Sequence, residues 1–189
     1  MRRSKGTLGF TLTELVIAVG IIGLLASMAI PGFIRYQNKA RRSEAFTNVS
    51  AIARSEKSYF AEQGTFFEAP THPITTAVAL NAEQHEWTAA AATDFAGLGW
   101  EPEGRVRYSY DVNTGATACF GGDCQGTCFT ATAYGDVDQD DTAAAVVIVQ
   151  SGTNAGGGNV TCPPHLFGLG VPLGAADMDP VLHPGADDF

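Results

Sequence analysis

Between Phe10 and Ile30 the chain is an apolar run interrupted by a single charge, Glu14. As a helix that run reaches about 31 Å, close to the hydrocarbon thickness of a bilayer. Beyond Pro31 the apolar positions recur at threes and fours. Ala45, Val49, Ile52, Glu56 and Tyr59 share one stripe, with Phe46, Ala53 and Phe60 beside them. The economical reading is one long helix over 10–63, stopped by Gly64. At about 80 Å it is too long for a domain of this size to cover, so its first half must be buried in lipid or in other subunits.

Residues 64–104 read as a connecting region. Pro70 and Pro73 block regular structure at first, and Asn81 with Gln84 three residues on predicts an N-cap and capping box for a short helix to about Thr93. From Arg105 the pattern changes to strands: Arg105–Val112, Thr117–Phe120, Thr127–Tyr134 and Thr142–Gln150 are β-prone and separated by turn residues. This region, 105–151, predicts an antiparallel meander packed on the outer half of the long helix, an α+β fold. Residues 152–189, with Gly156-Gly157-Gly158, Pro163-Pro164 and Pro180, are expected to be irregular and to wrap the surface.

Charge divides the same way. The 189 residues carry 11 Lys and Arg against 20 Asp and Glu, a net charge of −9. Residues 1–57 account for +6 of this and residues 58–189 for −15. A body so acidic repels phosphate, which excludes sequence-specific nucleic-acid binding as its business. The hydrophobic content of 45% excludes wholesale disorder. Arg2, Arg3 and Lys5 precede the apolar run and Arg35, Lys39, Arg41 and Arg42 follow it, so the positive-inside bias does not settle orientation alone.

Glu14 needs a partner, because a carboxylate in an apolar span is costly. No Lys, Arg or His lies between Phe10 and Arg35, so the same helix supplies no cation within the reach of a helical ion pair. A free amine created by a cut just before Phe10, presented by a neighbouring copy, would sit at the right depth. Here the residues carry a resemblance. The string from Lys5 through Gly9, Phe10, Thr11, Leu12, Thr13, Glu14 and Leu15, followed by the apolar run and Pro31, resembles the class III signal of type IV pilins and type II secretion pseudopilins. The resemblance implies a leader of residues 1–9, cleavage between Gly9 and Phe10 by a membrane-embedded prepilin peptidase, N-methylation of Phe10, and pairing of Glu14 with that amine in an adjacent subunit. It also implies a helix stretch from Gly23 to Pro31 that loses hydrogen bonding in the filament. Weaker likeness to myxobacterial and geobacterial pilins continues through Ser43–Phe66 and Leu98–Tyr110. Thr13, where many members carry Ile or Leu, departs from the pattern. An ordinary secretory signal cut near Ser27-Met28-Ala29 is the competing reading, but such signals have an apolar core of about 7–15 residues and no reason to include Glu14.

Cys119, Cys124, Cys128 and Cys162 all lie in the body, an even number downstream of an export signal. Two disulfides are the first reading, and they favour an oxidising, extracytoplasmic location for the body. The pairing is not legible from sequence. The gaps of four, three and thirty-three residues lack the paired short spacings of most four-Cys zinc sites. Asp136, Asp138 and Asp140, with Asp141, follow Gly135 and present alternate carboxylates as the first half of a calcium loop does. The loop lacks the required Gly at Asp141 and the bidentate Glu at Val147, so a solvated acidic hairpin is the favoured reading and calcium its competitor. No other cofactor is expected. The chain has no H-E-x-x-H, G-x-S-x-G, P-loop or C-x-x-C motif, and His72, His85, His165 and His183 are scattered.

The chain therefore reads as a filament subunit and not as an enzyme. Its expected partners are other copies of itself and other pilins, the prepilin peptidase, and an inner-membrane assembly machinery. It would wait in the inner membrane as a single-pass protein and then enter an extracellular pilus used in adhesion, motility or DNA uptake. Two alternatives are a pseudopilin of a periplasmic secretion piston and an anchored extracytoplasmic binding domain that does not polymerise.

Overall fold

The computed structural model describes residues 9–76, 81, 83–114, 126–136, 144–153, 159–160 and 181–182. Its first element, α1, is a helix over Leu12–Gln63 that continues through Pro31. Proline removes one helical N–H there without ending the helix. The stop is where the sequence puts it. Gly64 takes a left-handed φ of 75°, and its N–H closes on the Phe60 carbonyl at 2.8 Å.

The chain divides into two compact units, Met1–Lys39 and Ala40–Phe189. In the first unit the helix keeps its apolar side chains exposed: Leu12, Val16, Ile22, Leu24, Met28 and Phe33 are each more than half accessible. In the second, α1 buries Ala45, Val49, Ile52, Ala53 and Glu56. These are the residues of the predicted stripe, and they meet a sheet.

The sheet contains β1 (Ala69–His72), β2 (Ser109–Asn113), β3 (Phe129–Gly135), β4 (Ala144–Gln150) and, at its far edge, β7 (Val181–Leu182). Its order is β1-β2-β3-β4-β7, antiparallel at every pairing. Two further short strands, β5 (Gly152–Thr153) and β6 (Asn159–Val160), pair with each other. Alternation along the strands sends Tyr110 and Val112, Phe129, Ala131 and Ala133, and Val146 and Ile148 into the core shared with α1. Residues between them point to the opposite face, where Tyr134, Ala145, Val147 and Val149 form a second cluster. Every residue of β2 and β3 is buried, so the sheet is covered on both faces.

Four expectations are corrected. The short helix does not start at Asn81. The helix α2 spans Ala89–Phe95 with Thr88 as its N-cap, whose hydroxyl accepts from the Ala91 N–H at 3.1 Å. Asn81 instead accepts from the Glu83 N–H, and the His85 backbone is committed to an antiparallel bridge with Val106. That bridge removes 85 from any helix and also shortens the strand expected from Arg105, which begins only at Ser109. Pro70 does not prevent β1: the strand lies at the sheet edge, with an irregularity between Ala69 and His72, where a missing N–H costs no ladder bond. The C-terminal region is not wholly irregular, because Val181–Leu182 pairs with β4. The expected strand Thr117–Phe120 lies outside the described residues.

Candidate functional site

The first turn of α1 is built around Thr11 and Glu14. The Thr11 hydroxyl accepts from the Glu14 N–H at 3.2 Å. The Glu14 carboxylate accepts from the Thr11 N–H at 2.9 Å and from its hydroxyl at 2.7 Å. This is a reciprocal capping box, and it satisfies two N–H groups that a helix start otherwise leaves bare. Glu14, singled out in the sequence as a charge without a partner, thus has a local one. The Thr-x-x-Glu spacing at 11–14 was the signal for it, and the sequence reading passed over it. Gly9 and Phe10 precede the helix, with Phe10 84% exposed.

Gly23 and Pro31 lie inside the continuous α1. The helix is long and apolar enough at its N-terminal end to cross a membrane, and none of that apolar window is buried by the rest of the protein. A soluble core helix would be covered. This one leaves its whole circumference exposed.

In the body, Glu56 is fully buried. Its Oε2 accepts from the Phe67 N–H at 2.9 Å, which ties the chain after Gly64 back onto α1, while Oε1 is buried with no hydrogen-bond partner. Burial pushes its carboxyl up to about 8, only partly offset by the Phe67 bond. Glu56 therefore sits in the core as the neutral acid near neutral pH. A second buried acid, Asp111 on β2, accepts from Thr71 at 3.0 Å and Tyr134 at 2.8 Å on the other face of the sheet. Burial raises the Tyr110 hydroxyl well above its ordinary value; that hydroxyl is held by Asn48 at 2.8 Å.

Cys128 is buried and disulfide-bonded, and no described cysteine is free. Cys119, Cys124 and Cys162 lie outside the described residues. Asp136 follows β3 and is buried; Asp138 and Asp140 lie outside the described residues, which among themselves hold no cluster of three metal-ligating side chains. What the described residues present is a helix whose N-terminal apolar window is uncovered.

Comparison with known proteins agrees. The chain is 37% identical over 112 residues to the type IV major pilin protein PilA of Myxococcus xanthus, 59% of this chain and 39% of the relative. It is 41% identical over 58 residues to a fimbrial protein of Pseudomonas aeruginosa, 31% of this chain and 38% of the relative. It is 29% identical over 66 residues to the type II secretion system core protein G of Vibrio cholerae, 35% of this chain and 45% of the relative. The matches thus span less than half the length of these relatives, and no family model matches. Pilins and fimbrial proteins are structural proteins and not enzymes. These relatives are type IV pilins, fimbrial proteins and a type II secretion core protein, and the chain is similar to them over part of their length.

Proposed function

We propose that this chain is the structural subunit of a type IV pilus. In this reading a prepilin peptidase cuts between Gly9 and Phe10, the new amine is methylated, and the span 10–30 holds the subunit in the inner membrane until the assembly machinery moves it into a filament. The filament serves adhesion, motility or DNA uptake. The observation that supports it most directly is the uncovered apolar surface of α1 before Ala40, joined in one helix to a stripe that a sheet does cover. Lipid and a neighbouring helix are equally apolar, so helix packing and the state of Glu14 decide between membrane and filament, not hydrophobic burial. Gly23 to Pro31 is the stretch where helical bonding gives way in the assembled fibre.

Sheared fibres from the producing cell test the proposal. The protein should dominate them and its first residue should be Phe10; a mature chain starting at Ile30 would exclude it. Glu14→Ala should be processed and membrane-inserted but recovered from sheared fibres in strongly reduced amount. Normal fibres from that variant would contradict the assembly role.

The likeness to a type II secretion core protein favours one second reading, a pseudopilin. Deletion would then stop protein export and leave no surface fibre missing.

A further inference from the structure

Where the outer part of α1 faces the connection that follows α2, the body has a groove of about 610 Å³. Its walls carry three carboxylates, Glu44, Glu101 and Glu103, and its lining includes the apolar Ala51, Trp100 and Val106. The one cation of the lining, Arg105, is turned to the Gln84 carbonyl, to which its guanidinium donates. Glu44 is fixed in place: its Oε1 accepts from the Arg107 N–H at 2.7 Å and from the Tyr110 hydroxyl at 3.4 Å. Glu101 and Glu103 are exposed. Among the described residues, none of the three is in an ion pair.

We propose that this groove receives the basic segment of a second copy of the chain, with the exposed Arg35 and Lys39 as the cations taken up. The inference rests on the filament reading above and names one contact within it. The charges are complementary. Residues 31–43 hold Arg35, Lys39, Arg41 and Arg42 and no acid. Arg41 and Arg42 are half-buried and already engaged in interactions, whereas Arg35 and Lys39 are exposed. Neither has a carboxylate partner among the described residues; the Arg35 Nε donates only to the Pro31 carbonyl at 3.4 Å.

Lys39 and Glu44 are five apart on α1, off the three- and four-residue spacings that bring helical side chains together, and Arg35 is a further turn away. The groove suits a long cationic side chain in both its parts, since the apolar floor accepts the methylene stem while the carboxylates meet the charged head. The same carboxylates repel phosphate, which speaks against a lipid headgroup or nucleic acid as occupant.

Charge reversal in the full chain tests this. E101K/E103K leaves Glu44 and its structural bonds in place, and both substituted residues are exposed. Like charges then meet at the contact, and fibre yield should fall about tenfold or more. R35E/K39E should lose yield to a similar degree, and the fourfold variant carrying both reversals should recover most of it. Thermal unfolding in detergent, unchanged in each variant, separates lost assembly from lost folding. Wild-type yield retained in E101K/E103K, or no recovery in the fourfold variant, would overturn the contact while leaving the filament reading intact. Absence of the wild-type protein from sheared fibres would instead remove the filament reading itself.

Discussion

Glu56 is a carboxylic acid where the stripe on α1 wants a hydrocarbon, and its cost depends on pH. In the unfolded chain its carboxyl has the ordinary value of 4.5, and in the fold about 8. Below 4.5 both states hold the proton, and the stability it confers is fully present. Between 4.5 and 8 only the unfolded chain releases it, so stability falls as pH rises through that window, on the order of 1 kcal/mol per unit, and levels off above it. Glu56→Gln keeps an acceptor for the Phe67 N–H and removes the titration. Its Tm should exceed that of the wild type at pH 8, and the gap should close by pH 4; a gap independent of pH would refute the assignment. On the opposite face, Tyr134→Phe deletes the 2.8 Å bond to the buried Asp111 and should cost about 1–3 kcal/mol in urea unfolding. The stripe was legible in the sequence, including the position of Glu56. That this acid is held neutral there was not, because desolvation and the Phe67 bond arise only when the chain after Gly64 folds back.

At the scale of elements, α1 was the most legible feature, since a 3.6-residue period sustained to Tyr59 and a glycine at its end leave little choice. Ile52 is its largest aliphatic residue at the sheet contact and is fully buried. Ile52→Ala should cost about 2–5 kcal/mol, read as a lowered Tm of the body. The helix α2 was misplaced because its cap competes with another: Asn81 satisfies its own neighbourhood by an Asx-type turn, and the effective N-cap is Thr88. Thr88→Ala should remove about 1 kcal/mol. The strand β1 was missed because proline was weighed before strand position. At an edge its absent N–H goes unnoticed, and only the tertiary order β1-β2 reveals the edge. The pairing of Val181–Leu182 with β4 joins segments some thirty residues apart, a separation over which local pattern carries no register.

For the whole molecule, charge and contact divide at nearly the same place in the chain. The core begins at Ala45, and the basic segment lies just before it. Removal of residues 1–9 takes away Arg2, Arg3 and Lys5 and would leave −12. On the proposed contact, added salt weakens fibres by screening, and the effect should be smaller for fibres of a variant with Arg35 and Lys39 neutralised. The capping box of Thr11 and Glu14 has a further bearing on such a fibre. Because the carboxylate is already met by its own helix start, a subunit of the proposed filament would not strand a naked charge on passing into lipid. On the filament reading, the two proposed destinations of α1 would thereby be drawn closer in free energy. In a filament of the proposed kind, subunits would then return to the membrane without a covalent change, and fibre length would follow the direction of the applied work.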